Sequence, residues 1–156
     1  CNNNVAFEGN ETALEQIKAD FIKMINRENE ENCGQFPDYI SETRGYFFDI
    51  VWVEGDCIFN YQTKWSPNTD ILIQIAERHN VDFIHDYEKM GNLIYGRNIY
   101  ENGNLTEIGL DNDDFEQYHY DEETETYHFQ GKIFDNDCEI LEILLEEKIN
   151  HMQPQI

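Results

Sequence analysis

The stretch that most constrains this chain is Phe59-Asn60-Tyr61-Gln62-Thr63-Lys64-Trp65-Ser66-Pro67, which reads as a strand passing almost directly into a helix. Cys57, Phe59, Tyr61, Thr63 and Trp65 alternate with Ile58, Asn60, Gln62 and Lys64, the period of two expected of a strand with one buried face. The odd-numbered side chains are assigned to the core. Ser66 then offers an N-cap oxygen, Pro67 takes the first helical position where its missing N–H costs nothing, and Ile71, Leu72, Ile75 and Ala76 form the apolar stripe of the helix.

The flanks give this corner its context. Residues 5–9 read as a first strand, and Thr12 with Glu15 matches a capping box that opens a helix whose stripe is Leu14, Ile17, Phe21, Met24 and Ile25. Residues 26–37, dense in Asn and Glu, read as an exposed linker. Residues 46–53 are apolar on both faces and predict a central strand, turning at Glu54-Gly55-Asp56 into a hairpin with the opening stretch. A further strand is predicted over 81–87. The order βαββαβ is that of the ferredoxin-like split βαβ core, an α+β class with an antiparallel sheet and helices on one face.

Beyond this core, 93–100 and 105–110 flank Asn102-Gly103, the strongest short hairpin signal, so the sheet is expected to extend. A second hairpin is predicted from 115–120 and 126–133 across Asp121-Glu122-Glu123, and Asp137 is expected to cap a last helix carrying Ile140, Leu141, Leu144 and Leu145. With no internal repeat or low-complexity linker, residues 1–156 read as one domain: a core over about 1–110 and an acidic C-terminal extension over about 111–156.

Charge narrows the function classes. The net charge is −23, with 33 acidic residues against 10 basic ones, so direct nucleic-acid binding, which depends on Lys and Arg, is not expected. An aromatic content of 13% argues for a folded domain. Cys1, Cys33, Cys57 and Cys138 form no C-x-x-C pair, so no zinc, redox or iron–sulfur site is indicated, and reduced thiols are expected over disulfide bridges. No apolar run is long enough for a transmembrane segment, and a cytoplasmic location is expected, with lipid anchoring through Cys1 as the alternative.

Cys1 and Asn3 before the first strand, residues 5–9, then Thr63-Lys64-Trp65-Ser66-Pro67, Tyr87-Glu88, Gly91 and Gly96 resemble a family of phage, plasmid and bacterial proteins with an Api-type ferredoxin-like domain. The resemblance covers about 1–110. It implies the ferredoxin-like fold and makes Cys1 a strand-entry residue; it implies no activity, cofactor or catalytic residue.

Candidate chemistry therefore rests on the residues themselves. Asp111, Asp113 and Glu122 sit at EF-hand positions one, three and twelve, but Phe115 replaces a ligand and Glu116 the required glycine. His119 and His128 can meet across the predicted hairpin near Asp121 or Glu123, which motivates the alternative of a small-ligand or metal-dependent enzyme on the sheet. No nucleophile elbow or phosphate-cradling loop is present, and neither catalytic residues nor a cofactor is assigned. In the extension, acids interleave with aromatics. Asp111, Asp113, Asp114, Glu116, Tyr118, Tyr120, Glu122 and Glu123 have the chemistry of a protein-binding surface, carboxylates steering a basic protein partner and rings anchoring it. The leading expectation is a non-enzymatic interaction module from a mobile element or bacterial relative, of a composition that also suits nucleic-acid mimicry.

Overall fold

The computed structural model describes residues 1–53 and 55–152; Glu54, in the predicted turn, lies outside the described residues. The first six elements are β1 (Asn2–Glu8), α1 (Glu11–Glu31), β2 (Phe48–Val53), β3 (Ile58–Gln62), α2 (Thr69–His79) and β4 (Asp82–Lys89). They are followed by β5 (Ile94–Glu101), β6 (Asn104–Gly109), the helical turn α3 (Asn112–Phe115), β7 (His119–Asp121), β8 (Thr126–Phe129), β9 (Lys132–Phe134) and α4 (Cys138–Met152).

The main sheet is antiparallel throughout, in the order β2-β3-β1-β4-β5-β6. Its first four strands have the ferredoxin-like order, and β5 and β6 extend it through the expected hairpin, with Asn102 and Gly103 both at positive φ. Alternation along β5 shows how both faces are used. Tyr100 joins the core of α1 and α2, whereas Tyr95 and Ile99 pack on the core of α4 and the small β7-β8-β9 sheet. The two ferredoxin-like helices thus share one face, and the C-terminal helix covers part of the other.

The first core centres on Phe21, whose ring stacks on Phe59 with centroids 4.0 Å apart and meets Phe47 edge-on. Burying each such side chain contributes roughly 1.5–3 kcal/mol. Helix α1 starts earlier than predicted: Asn10, not Thr12, is the N-cap, its side chain accepting from the Ala13 N–H at 2.8 Å. It also runs past Ile25 into the predicted linker. Tertiary bonds stabilise that polar last turn, since Arg27 bonds Asp38 and the Phe36 carbonyl while Glu28 accepts from the Asp49 and Ile50 N–H groups.

Those last two bonds also correct the reading of β2. It is an edge strand with an irregular register between Phe48 and Val51, and Val51 is 56% exposed; its apolar outer face mimics the pattern of a covered strand. In the extension, Phe115 ends a helical turn instead of opening a strand, because Asp111 and Asp114 close a reciprocal capping box around it. The predicted strand over 126–133 is two strands, broken where Gln130 and Gly131 take positive φ. Before α4, Asp137 holds the N-cap position expected of it, its carbonyl accepting from the Leu141 N–H at 2.9 Å, while the Cys138 N–H bonds to Asn136 Oδ1.

Gly96 shows how tightly β4 and β5 meet. A Cβ there would lie 2.4 Å from the Tyr87 hydroxyl and 2.8 Å from the Ile108 carbonyl oxygen. Gly96→Ala is expected to destabilise the fold by about 1–3 kcal/mol through overpacking, seen as a lower urea midpoint at unchanged slope; an unmoved midpoint would contradict this packing.

Candidate functional site

A chain of buried polar groups crosses the first core. His85 Nδ1 accepts from Asn98 Nδ2 at 3.2 Å, so Nε2 carries the proton and donates to Asn3 Oδ1 at 2.8 Å. Asn98 Nδ2 also donates to Thr69 Oγ1, while its Oδ1 is buried without a partner. Asn3 Nδ2 donates to the Cys1 carbonyl and to Thr63 Oγ1, each at 3.0 Å, and the Thr63 hydroxyl donates to the Ser66 carbonyl at 2.7 Å. The chain thus joins β5, β4, β1 and the segment after β3.

This chain ends at the stretch the sequence reading placed first. Cys57, Phe59, Tyr61 and Thr63 are buried as predicted, but Trp65 is 70% exposed. Trp65 has φ 73, and the Ser66 N–H bonds back to the Lys64 carbonyl at 2.9 Å. That is a positive-φ γ-turn, the rarer and strained form, costing on the order of 1–3 kcal/mol for a bulky residue. The turn delays the helix. Ser66 and Pro67 precede α2, whose N-cap is Asn68 without a side-chain cap bond. The Asn68 side chain turns inward instead, accepting from the Tyr61 hydroxyl and donating to the Gly45 carbonyl. Outside, Lys64 Nζ and Lys89 Nζ stand 5.7 and 5.1 Å from the indole centroid.

A second feature lies on the opposite sheet face. A groove of about 360 Å³ runs between α4 and the open strands, lined by Asn2, Asn4, Asn60, Asp86, Glu88, Arg97, Glu142 and Glu146. Asn4 donates to Asn60 at 2.7 Å, and the Arg97 guanidinium is bonded to Asp86 at 2.6 Å. Tyr95 in this groove is pushed up to about 12 by burial and then by Glu142, Glu88 and Asp86. Carboxylates from β4 and α4 therefore converge on one polar slot. The groove acids of β4, Asp86 and Glu88, lie outside the extension, and only the topology brings them to α4.

The predicted partner-binding residues divide into three groups. Asp111 and Asp114 are joined by Lys148 at 3.3 and 2.7 Å, and the Asp114 N–H lowers the Asp111 pKa. Asp113 and Glu116 are exposed beside them. Tyr118 and Tyr120 both pack on Tyr127; Tyr118 is pushed up to about 12 by burial and then by Asp137, while Tyr120 remains 48% exposed. Glu122 and Glu123 occupy the exposed turn between β7 and β8.

His119 and His128 do pair across β7 and β8, with rings stacked 5.1 Å apart, and Asp121 lies 3.7 Å from His128. Their row also holds Ile133, which is 66% exposed. Among the described residues, no group of three His, Cys, Asp or Glu side chains is placed to hold a metal ion. All four cysteines are free.

With β2-β3-β1-β4 in ferredoxin-like order and two helices on one face, the protein is a ferredoxin-like α+β domain. It belongs to the family described as ferredoxin-like domain in Api92-like protein, whose model matches residues 47–130, more than half of the chain. Thr63-Lys64-Trp65-Ser66-Pro67, Tyr87-Glu88, Gly91 and Gly96 lie inside that span. Cys1, Asn3 and residues 5–9 lie before it, and the match continues past Leu110 into the extension. No curated protein and no solved structure matches the chain.

The buried chain makes folding pH-dependent. Burial lowers the His85 pKa to about 4 from an ordinary 6.5, so the unfolded chain binds more protons between those values. Stability from this residue is present above pH 6.5 and is lost as the pH falls through about 4, by about 3 kcal/mol. Urea titrations at neutral and mildly acid pH should show this loss in the natural chain and not in His85→Gln; equal pH slopes would refute it.

Proposed function

We propose that this protein is a non-enzymatic interaction module, from a mobile element or a bacterial relative of one, that binds a basic protein in the cytoplasm. The observation that carries the reading is the α4 groove. Glu142 and Glu146 from α4 face Asp86 and Glu88 from β4, and Arg97, the one basic residue in its lining, is already bonded to Asp86. A Lys or Arg side chain entering there would meet carboxylates with no competing free cation. The exposed Asp113, Glu116, Glu122 and Glu123 would extend the attraction, and the exposed Tyr120 and Ile133 are apolar side chains available for contact. No helix among the described residues is long and apolar enough to cross a membrane.

The test is capture from host lysate at low and high salt, followed by titration of the purified partner. Basic proteins should be retained at low salt and released at high salt, and Glu142→Gln with Glu146→Gln should weaken binding at least tenfold without changing the urea midpoint. Retention of no basic protein, or equal affinity in the double variant, would sink the proposal.

A further inference from the structure

The basic residues are as informative as the acids. Of the ten, Lys18, Lys23, Arg27, Arg97 and Lys148 are in carboxylate ion pairs, and Arg78 lies over the Tyr39 ring. Among the described residues, Arg44, Lys64, Lys89 and Lys132, like Arg78, are in no carboxylate ion pair, and three of these five gather at Trp65. Lys64 and Lys89 stand beside the indole, and Arg44 lines the same groove of about 530 Å³ as Lys64 and Trp65. In a chain of net charge −23, this is a local reversal of sign.

We infer that the Trp65 corner binds a nucleoside phosphate, the base stacking on the exposed indole and the phosphate held by Lys64, Lys89 and Arg44. The geometry of the corner and the general chemistry of its side chains agree on that ligand. The backbone at Trp65 is set by its γ-turn, with nearby Thr63 and Ser66 tied into the buried polar chain, so the indole is presented to solvent. Aromatic side chains recognise bases through stacking, irrespective of sequence. The lysine stems are long and flexible, so their ammonium groups can leave the ring and close on a phosphate. A polynucleotide would run from this corner onto an acidic surface, which selects a mononucleotide over a polymer.

This site is distinct from the α4 groove, and its test separates the two. Isothermal titration of the full chain with AMP, adenosine, inorganic phosphate and a short single-stranded oligonucleotide should give saturable binding for AMP, with adenosine and phosphate each at least tenfold weaker. Trp65 emission should be quenched in parallel. Lys64→Glu with Lys89→Glu, and separately Trp65→Gly, which suits the positive φ, should each weaken AMP binding at least tenfold while far-UV circular dichroism stays native. Glu142→Gln with Glu146→Gln should leave AMP binding intact. The inference is overturned by absence of saturable AMP binding, by phosphate or oligonucleotide binding as tight as AMP, or by AMP binding that survives in the natively folded Trp65→Gly or double-lysine variant.

Discussion

The hydrogen bond from His85 to Asn3 joins the two central strands, and much of the structure depends on it. β1 and β4 pair along their length, but backbone pairing alone does not place a polar residue in the core. A buried imidazole requires both nitrogens satisfied. Asn98 supplies the donor and Asn3 the acceptor, which selects one neutral tautomer. The same Asn3 reaches Thr63, and Thr63 closes the turn that displays Trp65. One buried polar path therefore links the register of the sheet centre to the geometry of an exposed corner.

Charge follows the same division of faces. The α1 and α2 side of the sheet is filled by apolar side chains around that polar path. The other side is only partly covered, and α4 brings its acids over it. Lys148 and Arg97 neutralise particular carboxylates, while three cations outside any carboxylate ion pair, Arg44, Lys64 and Lys89, gather near Trp65. The charge of the chain is thus unevenly spread, with a small cluster of cations at one corner of an acidic protein.

Periodicity carried much of this architecture. The alternation around Phe59, the stripe of α2 and the Asn102-Gly103 turn all indicate their elements from local chemistry. Trp65 did not, because alternation predicts a buried position and contains no sign of a γ-turn. Ser66 likewise has the right side chain for a cap, but its carbonyl serves Thr63 instead. The α1 extension depends on Glu28 and Arg27 reaching other segments, which no local pattern encodes. Lys148 was separated from Asp111 and Asp114 by 37 and 34 positions, and the groove acids come from β4 and α4. Site residues assembled from distant segments leave no spacing to read.

The central place of β1 has a consequence for how the chain comes together. Its partners β3 and β4 lie far along the sequence, the Asn3 to His85 bond spanning 82 positions. The backbone bonds of α1 are local, whereas both pairings of β1 are long-range. Closing so long a loop carries an entropic cost before any contact rewards it. The first strand is therefore the keystone of the sheet: take it away and the inner edges of β3 and β4 would both be left without a partner.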